Sequence, residues 1–199
     1  MRYFFEINYL PKRASNNLIA AHCISILHGT VSRDKCSSIG VSFPDWNGSD
    51  VGQSIAFISK DEDKLLKLSK HFDFRVMEEE SVITISELKQ VPIEVTEVQY
   101  IRNNGIAKLT LAERKRRIER CVLRAKRSGR EYQPQHEYKD RSFGLFHKLI
   151  LISQSSRRSF PLYIEKVEGV KEVKCDFSHY GLGSNQLIMG TVPDLSFDH

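Results

Sequence analysis

R-Y-F-F-E-I-N-Y-L-P-K-R-A-S-N-N-L-I-A-A-H-C-I-S-I-L-H-G-T-V-S-R, residues 2–33, opens a chain whose element order decides its fold. Residues 2–10 read as a strand rather than a secretory leader, because Glu6 and Asn8 interrupt the apolar run and no cleavage site follows. Pro11 to Asn16 reads as a loop. Asn16 or Asn17 is placed to cap a helix reaching about Arg33, with Ile19, Cys23, Ile26, Leu27 and Thr30 on one face at three- and four-residue spacings. A turn rich in Cys36, Ser37 and Ser38 leads to I-G-V-S-F-P-D (Ile39–Asp45), a strand ended by Pro44. Gly48 and Gly52 bracket a turn before the strand S-I-A-F-I-S (Ser54–Ser59). Asp61 caps a short helix bearing Leu65, Leu66 and Leu68, and strands are expected near 74–77 and 82–86. The order β-α-β-β-α-β predicts an α+β chain that begins with a ferredoxin-like domain.

The pattern changes near Gln90-Val91-Pro92, which divides the chain into residues 1–90 and 91–199. Strand-like V-T-E-V-Q-Y-I-R precedes a helix at 111–128, and a polar loop follows from Arg130 to Ser142. H-K-L-I-L-I-S and F-P-L-Y-I-E-K read as two strands joined through Gln154–Ser159, and L-I-M-G-T-V as a final strand. These elements predict a second, sheet-containing domain that carries the helix.

That helix is T-L-A-E-R-K-R-R-I-E-R-C-V-L-R-A-K-R-S-G (Thr110–Gly129). Thr110 and Glu113 form a capping-box pair, and Gly129 suits the left-handed residue that ends a helix. Leu111, Ile118, Val122 and Ala125 make one apolar stripe. From Glu113 to Arg130 nine Lys/Arg face two Asp/Glu, a local net of +7 in a chain of net +5, so the remainder sums to −2. A helix that is merely soluble mixes signs. This one uses mostly arginine, whose planar fork engages phosphates or base edges bidentately. At about 100° per residue, Arg116, Arg120, Arg124 and Arg127 share one face, with Lys115 and Arg117 flanking it. The stripe lacks the Trp and Phe of a membrane-surface helix. Nucleic acid is the favoured partner, with no membrane.

The 199 residues hold no apolar run of membrane-spanning length, no repeat and no low-complexity tract. Cys23, Cys36, Cys121 and Cys175 are scattered without C-x-x-C pairs, which fits reduced thiols in a cytoplasmic protein and no structural zinc. There is no H-x-x-x-H, no H-E-x-x-H and no paired carboxylate cluster, so no metal site and no cofactor are expected. Gly181 and Gly183 in Y-G-L-G lack the Lys-Ser/Thr and helix of a phosphate loop. Pattern alone cannot choose among seven histidines; His28 borders the core-facing stripe of its helix. A His, several Ser, a Tyr and a phosphate-binding helix suit RNA cleavage by the substrate's own 2′-hydroxyl, which needs a base, an orienting group and cationic stabilisation.

Several motifs are shared, in order, with one known family. L-H-G (Leu27–Gly29) is followed eleven residues after His28 by I-G-V-S-F-P-D. Then come the arginine-rich helix, S-Q-S (Ser153–Ser155) with F-x-L-x-I from Phe160, Y-G-L (Tyr180–Leu182) and a terminal V-P (Val192–Pro193). Together they span nearly the whole chain, which resembles the type I-F CRISPR repeat endoribonuclease, the enzyme that cuts precursor guide RNA.

The resemblance implies that the protein grips a CRISPR repeat hairpin, cuts at the stem base without a metal, leaves a 2′,3′-cyclic phosphate and stays on the mature guide RNA as a subunit of a type I-F effector complex. It implies His28 as general base, Ser153 as the serine positioning the attacking nucleotide, with Ser155 close by, and Tyr180 as the residue orienting the histidine. Phe160 would stack under the last base pair, and Arg114, Arg116, Arg117, Arg120, Arg124 and Arg127 would bind the RNA. Arg102 or Asn104 would stand in for the family's Arg and Gln contacts just before the helix. The Trp after F-P-D and the altered arginine run resemble the transposon-associated branch, whose complexes recruit a transposition adaptor protein. The alternatives are a non-catalytic hairpin-binding cap subunit of a surveillance or transposition complex, and a general nucleic-acid-binding protein.

Overall fold

The computed structural model describes residues 1–34, 37–108, 110–133, 143–153, 156–184 and 187–196, apart from the side chains of residues 112 and 113. Its first elements are β1 (Tyr3–Tyr9), α1 (Asn16–Asp34), β2 (Gly40–Ser42), β3 (Ser54–Ser59), α2 (Glu62–Ser69), α3 (Phe72–Glu79), β4 (Ile83–Ile85) and β5 (Lys89–Gln90). They form an antiparallel sheet of order β2-β3-β1-β4, with β5 also paired to β1. With α1 and the α2–α3 pair as crossovers, that order is the ferredoxin-like arrangement, so the α+β expectation is met.

Three local expectations are corrected. Residues 74–77 belong to α3, not to a strand. His71 caps that helix by accepting from the Asp73 N–H, and only Phe74 of its apolar residues is buried. The alternation Phe72-Phe74-Val76 mimics a strand, a known ambiguity of short apolar runs. Asn16 and Asn17 do not cap α1; they lie inside its first turn, where Ser15 O accepts the Leu18 and Ile19 N–H groups. Their side chains instead reach Asp50 (3.0 Å) and the Val51 N–H (3.3 Å), tying the helix start to the loop after β2. The final strand, expected over 187–192, lies instead at Val192–Pro193, where it pairs with β6.

The second half supplies β6 (Glu97–Arg102), α4 (Asn104–Ala107), α5 (Leu111–Arg127), β7 (Phe146–Ile152), β8 (Ser159–Val170), β9 (Gly183–Ser184) and β10 (Val192–Pro193). Its sheet runs β10-β6-β8-β7, antiparallel, with β9 pairing parallel to β6. Side chains from both sheets share one apolar core. Helix α1 packs closely on β7 and β10 approaches β2. Polar ties cross the same seam. Tyr100 O–H donates to the Phe43 carbonyl (2.9 Å) and Ser42 Oγ–H to Pro193 O (3.3 Å). Arg2 Nη1 donates to Glu97 Oε2 (3.0 Å) and Nη2 to Oε1, while Thr191 Oγ1–H donates to Glu97 Oε2 (2.7 Å). Trp46 fills the junction against Phe43, Tyr100 and His147, with the His147 ring centroid 4.3 Å away.

Helix α5 has a different character. None of its described residues is buried; Leu111 is 81% exposed and Ile118 45%, so its apolar stripe faces outward rather than into the core. Its end follows the sequence. Gly129 has φ +65°, its N–H donates to Lys126 O (3.1 Å) and the Arg130 N–H to Ala125 O (2.9 Å), the paired bonds of a Schellman cap. Thr110 O accepts the Arg114 N–H (2.9 Å), while the Glu113 side chain of the expected capping box lies outside the described residues. So do Cys36 and residues 134–142 of the polar loop.

Candidate active site

Helix α1 carries His28 on its last turns, half-buried, beside Leu27, which is fully buried. Against it lies the loop S-H-Y-G-L (Ser178–Leu182). That loop is held by its own bonds: Ser178 N–H to Leu182 O (2.8 Å), Gly181 N–H to Ser178 O (2.8 Å) and Leu182 N–H to Ser178 Oγ (3.3 Å). Val41 N–H donates to Gly181 O (2.9 Å), joining the loop to β2. Gly181 sits at φ +72°, and a Cβ there would lie 2.5 Å from Val41 Cγ2 and 2.8 Å from Leu27 Cδ2. The glycine of Y-G-L thus serves a close approach to α1 and β2. Leu182 is buried, and Gly183 and Ser184 then pair with Ile101 and Arg102 of β6.

This docking sets Tyr180 flat against His28, ring centroids 4.5 Å apart and planes inclined by 22°. Arg102, at the end of β6, places its guanidinium carbon 5.4 Å from the Tyr180 ring centroid, and its Nε–H donates to Asn104 Oδ1 (3.1 Å). Phe160 meets Tyr180 edge-on at 6.4 Å. His179 lies 6.1 Å from His28, centroid to centroid, and its Nδ1 shares a 3.3 Å hydrogen bond with Ser32 Oγ. Burial first, and then the neighbouring His179, hold the His28 pKa below its ordinary value. Both effects disfavour the imidazolium form.

Ser153 directly follows β7, in a turn where its N–H donates to Arg158 O (3.0 Å), its O accepts from Arg157 N–H (2.7 Å) and its Oγ from Ser156 N–H (3.3 Å). Arg157 adopts φ +51°, so the turn is tight. Across the ladder Leu151 pairs with Phe160, placing the Ser153 turn at the same end of the sheet as the ring that meets Tyr180. The structure therefore brings His28, Tyr180, Phe160 and Arg102 together, with Ser153 on the adjoining turn. Ser155 lies outside the described residues. Arg114, Arg116, Arg117, Arg120, Arg124 and Arg127 are exposed along α5. His179 is the participant that the sequence did not single out; its only signal was adjacency to Tyr180.

Among the described residues no group of three or more His, Cys, Asp or Glu side chains is arranged to hold a metal ion. Cys23, Cys121 and Cys175 are free thiols, and burial pushes the Cys23 thiol up to about 12, so it packs rather than reacts. No helix among the described residues is long and apolar enough to cross a membrane.

A ferredoxin-like sheet joined to a second antiparallel sheet, with a histidine–tyrosine pair at their seam and an exposed arginine helix, defines a two-sheet α+β protein with a basic surface. The chain belongs to a CRISPR-associated protein family: the model described as CRISPR-associated protein (Cas_Csy4) matches residues 4–195. No curated protein matches it. Among solved structures, a crystal structure of the CRISPR RNA processing endoribonuclease Cas6b aligns over 97% of this chain and 100% of its own, at 11% identity and a TM-score of 0.34. A further crystal structure of Cas6b covers 96% and 99% at 10% identity and a TM-score of 0.26. Scores this low leave the fold assignment to the strand order itself.

Proposed function

We propose that this protein is the endoribonuclease that cuts precursor guide RNA at the base of its repeat hairpin, without a metal ion, by attack of the substrate's 2′-hydroxyl. The observation that carries the reading is His28 stacked on Tyr180, its pKa lowered by burial and by His179, in a chain of the Cas_Csy4 family. His28 takes the 2′-hydroxyl proton as the 2′-oxygen bonds to phosphorus and the bond from phosphorus to the 5′-oxygen breaks. The products are a 2′,3′-cyclic phosphate and a 5′-hydroxyl. Tyr180 fixes the plane of the imidazole, Ser153 positions the nucleotide whose hydroxyl attacks, and Arg102 supplies positive charge toward the phosphate. Phe160 forms the platform under the last base pair, a contact worth about 1–3 kcal/mol.

The labour divides between residues 1–90, which carry His28, and 91–199, which carry α5. An A-form major groove is too deep and narrow for side chains along its length, but a short stem is open at its loop end. There α5 enters with Arg114, Arg116, Arg117, Arg120, Arg124 and Arg127. The protein acts in the cytoplasm and stays on the mature guide RNA as a subunit of a type I-F effector; in the transposon-associated branch a transposition adaptor is its further partner.

Incubating repeat RNA with pure wild-type protein and with His28→Ala, in EDTA, tests this on a denaturing gel. Wild type should cut once at the stem base, and the variant should lose about 10²–10⁴ in rate at nearly unchanged hairpin affinity. Intact RNA with the wild-type protein would instead mark a non-catalytic cap subunit.

A further inference from the structure

We propose that His179 is a second catalytic residue, the general acid that hands a proton to the 5′-oxygen as it leaves. This rests on the reading above, in which His28 is the base.

The geometry carries it. In an in-line displacement the attacking 2′-oxygen and the departing 5′-oxygen stand on opposite sides of phosphorus, so one imidazole cannot serve both at once. Base and acid must approach a single phosphate from two directions, each within about 2.6–3.2 Å of its own oxygen. His28 and His179 suit that need: their ring centroids are 6.1 Å apart and their planes are inclined by 57° rather than stacked. Tyr180 covers one face of His28, which leaves the ring edge for the substrate. His179 is exposed, and among the described residues its ring has a hydrogen bond at Nδ1, to Ser32. The partner there, Ser32, lies four residues after His28 and so on the same face of α1. The bond thus holds a second imidazole over the helix face that carries the first.

The protons balance. In this step Nδ1–H of His179 donates to Ser32 Oγ throughout, the tautomer in which the mobile proton is on Nε2. The 2′-hydroxyl loses its proton to His28, the P–O2′ bond forms, the P–O5′ bond breaks, and His179 Nε2–H protonates the 5′-oxygen. Proton exchange with water restores both rings. The rival view is that His179 only ties its loop to α1. Yet the loop is already docked on the first sheet by the Val41 N–H to Gly181 O bond and on α1 by the stacking of Tyr180 on His28, neither of which involves the His179 ring.

The test uses two versions of one hairpin RNA, identical except that the second carries sulfur in place of the bridging 5′-oxygen at the site where wild type cuts. A thiolate leaves without being protonated, so only the oxygen substrate needs an acid. His179→Ala should cut the oxygen substrate about 10²–10⁴-fold more slowly and the sulfur substrate at nearly the wild-type rate. His28→Ala should be slow on both. His179→Gln, which retains a hydrogen-bonding side chain toward Ser32, should match His179→Ala. Equal loss on both substrates, recovery of oxygen cleavage in His179→Gln, or no loss at all overturns the assignment. Failure of His28→Ala to slow the sulfur substrate overturns the reading of His28 instead.

Discussion

Tyr180 lies flat on His28, 4.5 Å between centroids, although the two residues come from opposite ends of the chain. The contact depends on a loop packed closely on α1 and β2, where a Cβ on Gly181 would meet Val41 and Leu27. In the proposed mechanism the histidine's orientation is set through this loop. Truncating Tyr180 to Leu should forfeit the ring pairing, about 0.5–1.5 kcal/mol, or roughly 2- to 13-fold in single-turnover rate, while Tyr180→Phe retains the stack. A larger loss in Phe than in Leu would show that the hydroxyl, not the ring face, matters.

Gly181→Ala puts a methyl group 2.5 Å from Val41 Cγ2 at φ +72°. The expected cost is about 1–3 kcal/mol from the backbone alone, seen as a lowered Tm, with cleavage falling more than hairpin affinity. Unchanged stability together with unchanged rate would mean that the loop does not set the histidine.

The pH dependence follows from His28. Burial and His179 both disfavour the imidazolium, so the folded-state pKa lies below the usual value of about 6.5. The base works only when neutral, so activity is retained as pH falls through 6.5 (about the free imidazole value) and lost below it. Single-turnover rates measured across pH should place the acidic midpoint under that value; a midpoint above it contradicts the assignment.

The seam between the sheets carries the Arg2–Glu97 pair, with side chains 13% and 7% exposed and Thr191 as a third partner. Removing one charge strands the other, so Arg2→Met should cost about 3–5 kcal/mol in chemical denaturation, and Arg2→Met with Glu97→Leu markedly less. Equal costs for the single and double variants would show that the pair adds only packing.

Much of the fold was legible because its elements carry local signals. The apolar spacing of α1, the Asp61 cap and the Gly129 terminus all sit where the residues put them. Misreadings arose where local pattern and packing diverge. Phe72 and Val76 are apolar but largely outside the core, so α3 imitated a strand. Asn16 and Asn17 have the chemistry of caps but are used to reach Asp50 and Val51. For the site, single-residue pattern said almost nothing. His28 emerged only through motif order, and His179 not at all, because its relation to His28 is made by tertiary docking of a loop far along the chain.

Recognition should separate from chemistry at α5. Arg120→Ala should weaken hairpin binding and reduce the salt slope by about one unit if that side chain holds a phosphate, with cleavage at saturating protein unchanged. Loss of cutting by fully bound RNA would place α5 in the chemistry instead.

In the proposed mechanism the RNA supplies its own nucleophile to His28. A hairpin bearing a single 2′-deoxynucleotide immediately 5′ of the scissile phosphate tests it most directly, with binding and cleavage measured side by side in EDTA. The deoxy hairpin should bind with wild-type affinity and stay uncut, and the product of the unmodified control should carry a 2′,3′-cyclic phosphate. Cutting of the deoxy substrate, or a requirement for added Mg²⁺ in the control, would contradict it.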